Sequence, residues 1–477
     1  MQSIVEKETA QTAEVNETTK MEKLKIGEKL AYGLGDFGTN FSWTYVATFL
    51  TIYLTDTIGM SAAVIGTIML ISRLLDGVTD LFMGTIIDRT KSKMGKARPW
   101  VFWTAPFVAL TTFLLFNVPG SMGSTAEIVY VFILYLILSA VFMTASNIAY
   151  GSLTSFMTTN PVERVSLGSI RYIFAIGAVL FISSFTYMFV ESFGGGQKGW
   201  TTISLIYAFL SMIPLMITGW YVKERNVAKL VEDDKKVKLG PTLKALLTNK
   251  YFIIVLFIYL FTYLSQTSNS VQIYYVNYIF GDSKLMGLIS MASMLPMIIG
   301  LMFASSIVSK LGGLRKSLLF GQILSVVGSV VQVFFPEALT PFLIGAVIKS
   351  FGGVFLMASL NALVADVGDI IYWKTGLPVQ GAVFSIGSVG MKVGTGIAAG
   401  MVGWILALGA YVPNAAVQPD SSIQAIKFLM IYFPLICTVI LTLAIYFLNH
   451  ENFIAKIREA IKTERVGNNR DESILKH

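Results

Sequence analysis

Apolar stretches of about twenty residues or more recur along almost the whole chain, separated by short polar connections. That length crosses the hydrocarbon core of a bilayer as a helix. Inside lipid the backbone must satisfy its own hydrogen bonds, so each stretch is predicted to be helical; the short alternating segments of a β-barrel are absent. The first half gives Leu30–Thr55, Ser61–Ile87, Pro99–Val118, Ala126–Met157, Leu167–Phe193 and Trp200–Val222. The second gives Tyr251–Gly281, Leu285–Ser309, Ser317–Phe335, Leu339–Ala365, Gly381–Val412 and Ile423–Asn449. The expected fold class is an all-α polytopic membrane protein with twelve transmembrane helices in two six-helix halves. Its parts are a polar, disordered leader (1–28), a bundle (29–222), a charged connector (223–250), a second bundle (251–450) and a tail (451–477). The first twenty residues contain no apolar core, so they read as neither signal peptide nor span. Met21 stands as an alternative start.

Lysine and arginine fall in alternate connections. The leader, Arg89–Arg98, the connector, Lys310–Lys316 and the tail carry lysine or arginine; Asp56–Met60, Pro119–Thr125, Pro336–Ala338 and Pro413–Ser422 hold neither residue. By the positive-inside rule both termini are cytoplasmic, which requires an even number of spans in the cell membrane. Six spans, a loop and six more is the layout of the major facilitator fold. The stretch Gly84–Arg98 has a shorter echo in Ser309–Lys316, which supports two related halves.

Composition agrees. The chain is 54% apolar and 13% charged, against about a quarter charged in a soluble protein. The net charge of +8 lies in the loops, where it reads as topology rather than as a nucleic-acid footprint. Cys437 is the sole cysteine, and His450 and His477 follow the last apolar stretch, so buried proton chemistry falls on carboxylates. No catalytic constellation and no cofactor motif is present, which argues against an enzyme.

A charge near the bilayer centre costs about 2.5–3.5 kcal/mol on insertion scales and is a functional candidate by default. Arg73, Asp76 and Asp80 lie three and four residues apart, on one face of the second span. Two carboxylates so close resist joint ionisation, so the pair is expected to hold a proton or a cation. Thr79 and Thr144 add neutral oxygens of the kind a hard cation takes. If Arg73 only neutralises Asp76, Asp80 is left as a costly unpaired acid. Asp36 reads as serving helix entry or packing between the halves. Arg171 and Lys392 have no local acid; a carboxylate on another span, backbone carbonyls or substrate oxygens would each satisfy them. Lys349 is a weaker candidate, since lysine can snorkel. Asn40, Trp43, Asn147, Tyr150, Gln266, Asn269 and Gln272 offer amides and flat aromatic faces suited to a sugar, with interhelical glue as the alternative reading.

Arg73-Leu-Leu-Asp76-Gly-Val-Thr-Asp80, followed by Met83–Trp100, resembles the glycoside–pentoside–hexuronide:cation symporter family, the melibiose-permease-like branch of the major facilitator superfamily. So do Tyr32–Gly38, Tyr53-Leu-Thr-Asp56, Asn147–Leu153 and Ala365–Gly376, from about residue 25 to 455 in unbroken order. The resemblance implies symport of a sugar with Na⁺, Li⁺ or H⁺ by alternating access. Asp76 and Asp80 match the family's cation-binding carboxylates and Thr144 its span-four ligand. Thr79 stands where Na⁺-using members have asparagine, which leaves H⁺ open. Asn40 and Asn147 replace acids and Gly151 replaces a tryptophan, whereas Arg171 and Lys392 are kept. The resulting positive cavity would suit an anionic hexuronide, with neutral xylosides or β-glycosides also open. Residues Ile371–Gly381 lack the two acids of many members, which moves gating towards Asp366 and Asp369. The substrate site implied is Asn40, Trp43, Asn147, Tyr150, Arg171 and Lys392, with Asp36 and Arg73 in structural or gating roles. The expected partners are a small sugar or glycoside and the lipid bilayer, the carrier acting as a monomer. The rival readings are a lysophospholipid-type carrier and a transport-inactive sugar sensor.

Overall fold

The computed structural model describes residues 24–120, 123–158, 161–225, 244–311, 313–377, 380–463 and 466–467. The leader up to residue 23, with Met21, most of the connector (226–243) and the end of the tail (468–477) lie outside the described residues. Among the described residues there is no strand. The long helices are α1 (Ile26–Ile52), α2 (Ala62–Arg89), α3 (Arg98–Leu115), α4 (Ser124–Met157), α5 (Pro161–Ser192), α6 (Gly196–Tyr221), α7 (Lys250–Phe280), α8 (Leu285–Lys310), α9 (Leu314–Phe334), α10 (Leu339–Thr375), α11 (Gln380–Leu408) and α12 (Asp420–Tyr446). A short amphipathic helix, α13 (Glu451–Lys462), follows. Ten of them are long and apolar enough to cross a membrane. The two that fall short are α1, whose Glu28 and Asp36 are buried inside the protein, and α3, only 18 residues long and opening on Arg98-Pro99.

The repeat heard faintly in the sequence has a physical basis. Glu224, just past α6, accepts the backbone N–H groups of Lys96, Ala97 and Arg98 at 2.8 Å each, at the start of α3. The Arg98 guanidinium donates to the Gly219 and Trp220 carbonyls at the end of α6. In the second half Glu451, just past α12, accepts the N–H groups of Leu314 and Arg315 at 2.6 and 3.0 Å, at the start of α9. Arg315 in turn donates to the Tyr446 carbonyl. A helix start leaves backbone donors without intrahelical partners, and a carboxylate there satisfies them and the helix dipole together. Gly95 and Gly313, at φ +115° and +135°, turn the chain into each cradle, a conformation that favours glycine.

Helices α1–α6 pack among themselves, as do α7–α12; α2 on α11, α5 on α8 and α1 on α7 join the two sets. At Gly66, Gly400 and Gly403 the α2 and α11 backbones touch, and a Cβ on Gly403 would run into the Ala62 carbonyl oxygen. Small residues permit such an approach between membrane helices. This junction lies towards the end whose connections lack lysine and arginine. There Tyr411 donates to both Asp56 carboxylate oxygens at 2.9 and 3.0 Å, Thr55 and Tyr274 share a 2.9 Å hydrogen bond, and Ser270 donates to the Ala47 carbonyl. Trp404 bridges to Thr67 at 3.1 Å. Further hydrogen bonds between the two sets of helices fall here and around Asp76. The chain is therefore sealed at its Lys/Arg-poor end.

Gly403→Val is expected to hold α2 and α11 apart. Cysteines placed at Thr67 and Trp404 in a Cys437→Ser background should cross-link readily, and several-fold less with valine at 403; an unchanged yield would show that the glycine contact does not set the approach.

Candidate cation and sugar site

The three charges on α2 converge with a fourth from the other half. Asp76, 4% exposed, accepts a 2.5 Å hydrogen bond from the Thr144 hydroxyl. The Lys392 ammonium, from α11, lies 2.9 Å from Asp76 Oδ1 and also pairs with Asp80. Arg73 approaches Asp76 at 3.4 Å, with its guanidinium 3.7 Å from the centre of the Trp43 ring. Thr144 follows a π-helical segment, Ile137–Met143, a local irregularity common at functional sites. The acid pair is thus filled by a tethered ammonium: two carboxylates face two cations, and Asp80 has its partner across the interface. The Thr79 hydroxyl is turned away and donates to the Asp76 carbonyl at 3.0 Å.

Arg171 also finds its acid on another helix. It donates to Asp36 at 2.5 Å, and its guanidinium lies 4.9 Å from the Tyr150 ring. Tyr150 stacks on Tyr32 at 4.7 Å and donates to the Tyr32 carbonyl at 2.7 Å, so its hydroxyl is engaged. Asn40 donates to the Asp36 carbonyl at 2.8 Å and accepts from Thr44. Asn147 is exposed on α4. Asp36 therefore ties α1 to α5 within one half rather than bridging the halves. The expectation of a cavity made positive by Arg171 and Lys392 does not hold, because carboxylates neutralise both.

A cavity of about 500 Å³ lies between the two sets of helices. Of the residues expected to hold sugar, Trp43 lines it, together with Arg73; Asn40, Asn147, Tyr150, Arg171 and Lys392 do not. The amides come instead from α7, which breaks after Leu264 and resumes at Thr267, presenting Gln266 and Asn269 to the cavity. Interrupted helices of this kind line binding sites in carriers. Gln272, also on the wall, is committed to Met286 and Ser290 at 3.2 and 3.0 Å. Met69, Met286, Met294, Met297, Met357 and Met430 supply an adaptable apolar surface. Lys349 lines the cavity too.

Asp366 and Asp369 sit at the basic end of α10. Asp366 lies 2.8 Å from His450 Nε2 and 2.7 Å from Arg458; Asp369 takes the Arg458 Nε–H at 2.9 Å. The Asp369 hydrogen bond and the charges of both acids raise the Arg458 guanidinium above its ordinary value. These contacts anchor α13 to the second half; they do not cross to the first.

Residues 31–452 match the family described as MFS/sugar transport protein. The chain belongs to that family. The isoprimeverose transporter of Lactiplantibacillus pentosus is 32% identical over 419 residues, covering 86% of this chain and 85% of that protein. The uncharacterized symporter YnaJ of Bacillus subtilis (strain 168) is 29% identical over 465 residues, covering 96% and 98%. The glycoside/cation symporter YagG of Escherichia coli (strain K12), so named provisionally, is 29% identical over 456 residues, covering 93% and 96%. Among solved structures, a bacterial homologue of the lysosomal transporter Spinster superposes with TM-score 0.63 at 12% identity, over 92% of this chain and 97% of that one. The nucleoside transporter NupG gives TM-score 0.60 at 16% identity, over 89% and 98%. At such identity the likeness establishes the fold alone; that the chain is a multi-pass major facilitator carrier rests on the family match.

If the acid pair is the cation site, the Lys392 ammonium competes for it. Lys392→Ala is expected to tighten binding of the coupling cation about tenfold, read by tryptophan fluorescence as Na⁺ or pH is varied; an unchanged midpoint would show that Lys392 does not compete for the site.

Proposed function

We propose that this chain is a secondary active symporter that couples a cation to a glycoside, pentoside or hexuronide by alternating access. The observation that carries this reading is Lys392 seated between Asp76 and Asp80. A cation bound by the acids and the ammonium of the other half exclude one another, so loading the site changes what holds the halves together. Asp76, Asp80 and Thr144 form the cation site; with Thr79 turned to the backbone, few oxygens remain for Na⁺, which favours H⁺ as the coupling ion.

Sugar binds in the cavity, its ring against Trp43 and its hydroxyls at Gln266 and Asn269. A volume of about 500 Å³ falls in the range of small-molecule sites. Residues 29–222 and 251–450 act as two bundles that rock about this site. The basic loops face the cytoplasm of the cell membrane, with both termini inside, so the sealed end faces outward and this conformation loads or releases inward. Arg73 and the Asp36–Arg171 pair hold the first bundle rigid around the site, and Asp366 and Asp369 do the same for the second through α13. The relatives named for isoprimeverose and for glycoside–cation symport support a sugar cargo over the lipid-carrier and sensor readings.

Asp76→Ala or Asp80→Ala is expected to abolish uphill uptake in proteoliposomes by at least about tenfold while sparing sugar exchange at equal concentrations. Accumulation that survived both substitutions would remove the acids from the coupling.

A further inference from the structure

Five cations lie within the apolar stretches among the described residues: Arg73, Arg171, Lys349, Lys392 and Lys427. Carboxylates meet four of them. Lys349, on α10, has no carboxylate among the described residues, and no described Asp or Glu lines the cavity it enters. The titratable group nearest it is Cys437, on α12; Arg73 and Tyr135 line the same cavity. Its backbone is pinned: α9 touches α10 at Gly328 and Lys349, and Ser325 donates to the Lys349 carbonyl at 3.0 Å. An interior ammonium with no counter-charge is expensive, and a mobile anion in the adjoining cavity is the partner the site leaves room for. Gln332 and Ser350 stand on the same wall as further donors.

We propose that Lys349 is the specificity-determining residue of the cavity: it pairs with the carboxylate or sulfonate of an acidic sugar whose ring lies against Trp43. This rests on the reading of the chain as a sugar carrier and assigns its preference to a residue outside the pairs on α2, α5 and α11. In this conformation Arg171 and Lys392 are neutralised and contribute no free charge. The anion's partner is Lys349, reinforced by Arg73, whose 3.4 Å pair with Asp76 is the loosest of the set.

The test is counterflow in proteoliposomes with methyl β-D-glucuronide, its neutral counterpart methyl β-D-glucoside, and the 6-sulfonate analogue, for the natural protein, Lys349→Gln and Lys349→Arg. Thermal unfolding of each purified variant checks the fold. Lys349→Gln is expected to lose about tenfold or more in half-saturation for the acidic sugars and less than about threefold for the glucoside, with Lys349→Arg restoring most of the loss. Which acid is taken up better separates carboxylate from sulfonate. Equal losses for all three sugars, or a natural protein that takes the glucoside and neither acid, would overturn the role of Lys349 and leave the sugar-carrier reading in place. Uptake of none of the three would overturn the role of Lys349; refusal of methyl β-D-xyloside and isoprimeverose as well would overturn the sugar-carrier reading.

Discussion

Two carboxylates on one face of α2 cannot both stay ionised in the membrane without positive charge beside them, and the rest of the arrangement answers that constraint. In this conformation the charge comes from Lys392, carried on the helix whose backbone meets α2 at Gly66, Gly400 and Gly403. The packing that brings α11 against α2 is therefore also what delivers the ammonium. On the proposed function, a cation arriving from solution would take over an electrostatic role that the protein already fills. That exchange gives a direct physical route from ion binding to movement of one half against the other.

The remaining charges fall into three groups with separate work to do. Asp36 and Arg171 lock α1 to α5 beneath the Tyr32–Tyr150 stack. Glu224 and Glu451 cap equivalent helix starts in the two halves and tie the first half's α3 to α6 and the second half's α9 to α13. Asp56, held by tyrosine hydroxyls rather than by a cation, closes the Lys/Arg-poor end. A seal of neutral donors on one acid is easier to break than a buried ion pair, which suits a contact that opens once per cycle.

Much of this was legible in the sequence, because membrane insertion writes a coarse and redundant code. Span positions, the family resemblance and the three charges of α2 could all be read from apolar length and spacing. Helix limits were less clear: α10 runs to Thr375, beyond the apolar stretch ending at Ala365, since its last turns set Asp366 and Asp369 among buried Ile370, Ile371 and Trp373 and are held by α13. The partners of Arg171 and Lys392 lie 135 and 316 residues away in sequence, so no local pattern announces them. A carboxylate on another span was therefore one of three partners left open for each, and the spacing alone could not choose it. Lys349 was discounted because lysine can snorkel; its cavity exists only once α7, α8 and α10 are assembled.

The most direct measurement is calorimetric titration of the purified carrier with its sugar at several Na⁺ concentrations and pH values, and of the cation with and without sugar. If ion and sugar share one transport cycle through the acid pair, each must raise the other's affinity by the same factor, and Asp76→Ala must reduce that factor to one. Sugar affinity indifferent to both Na⁺ and pH would contradict coupling through Asp76 and Asp80.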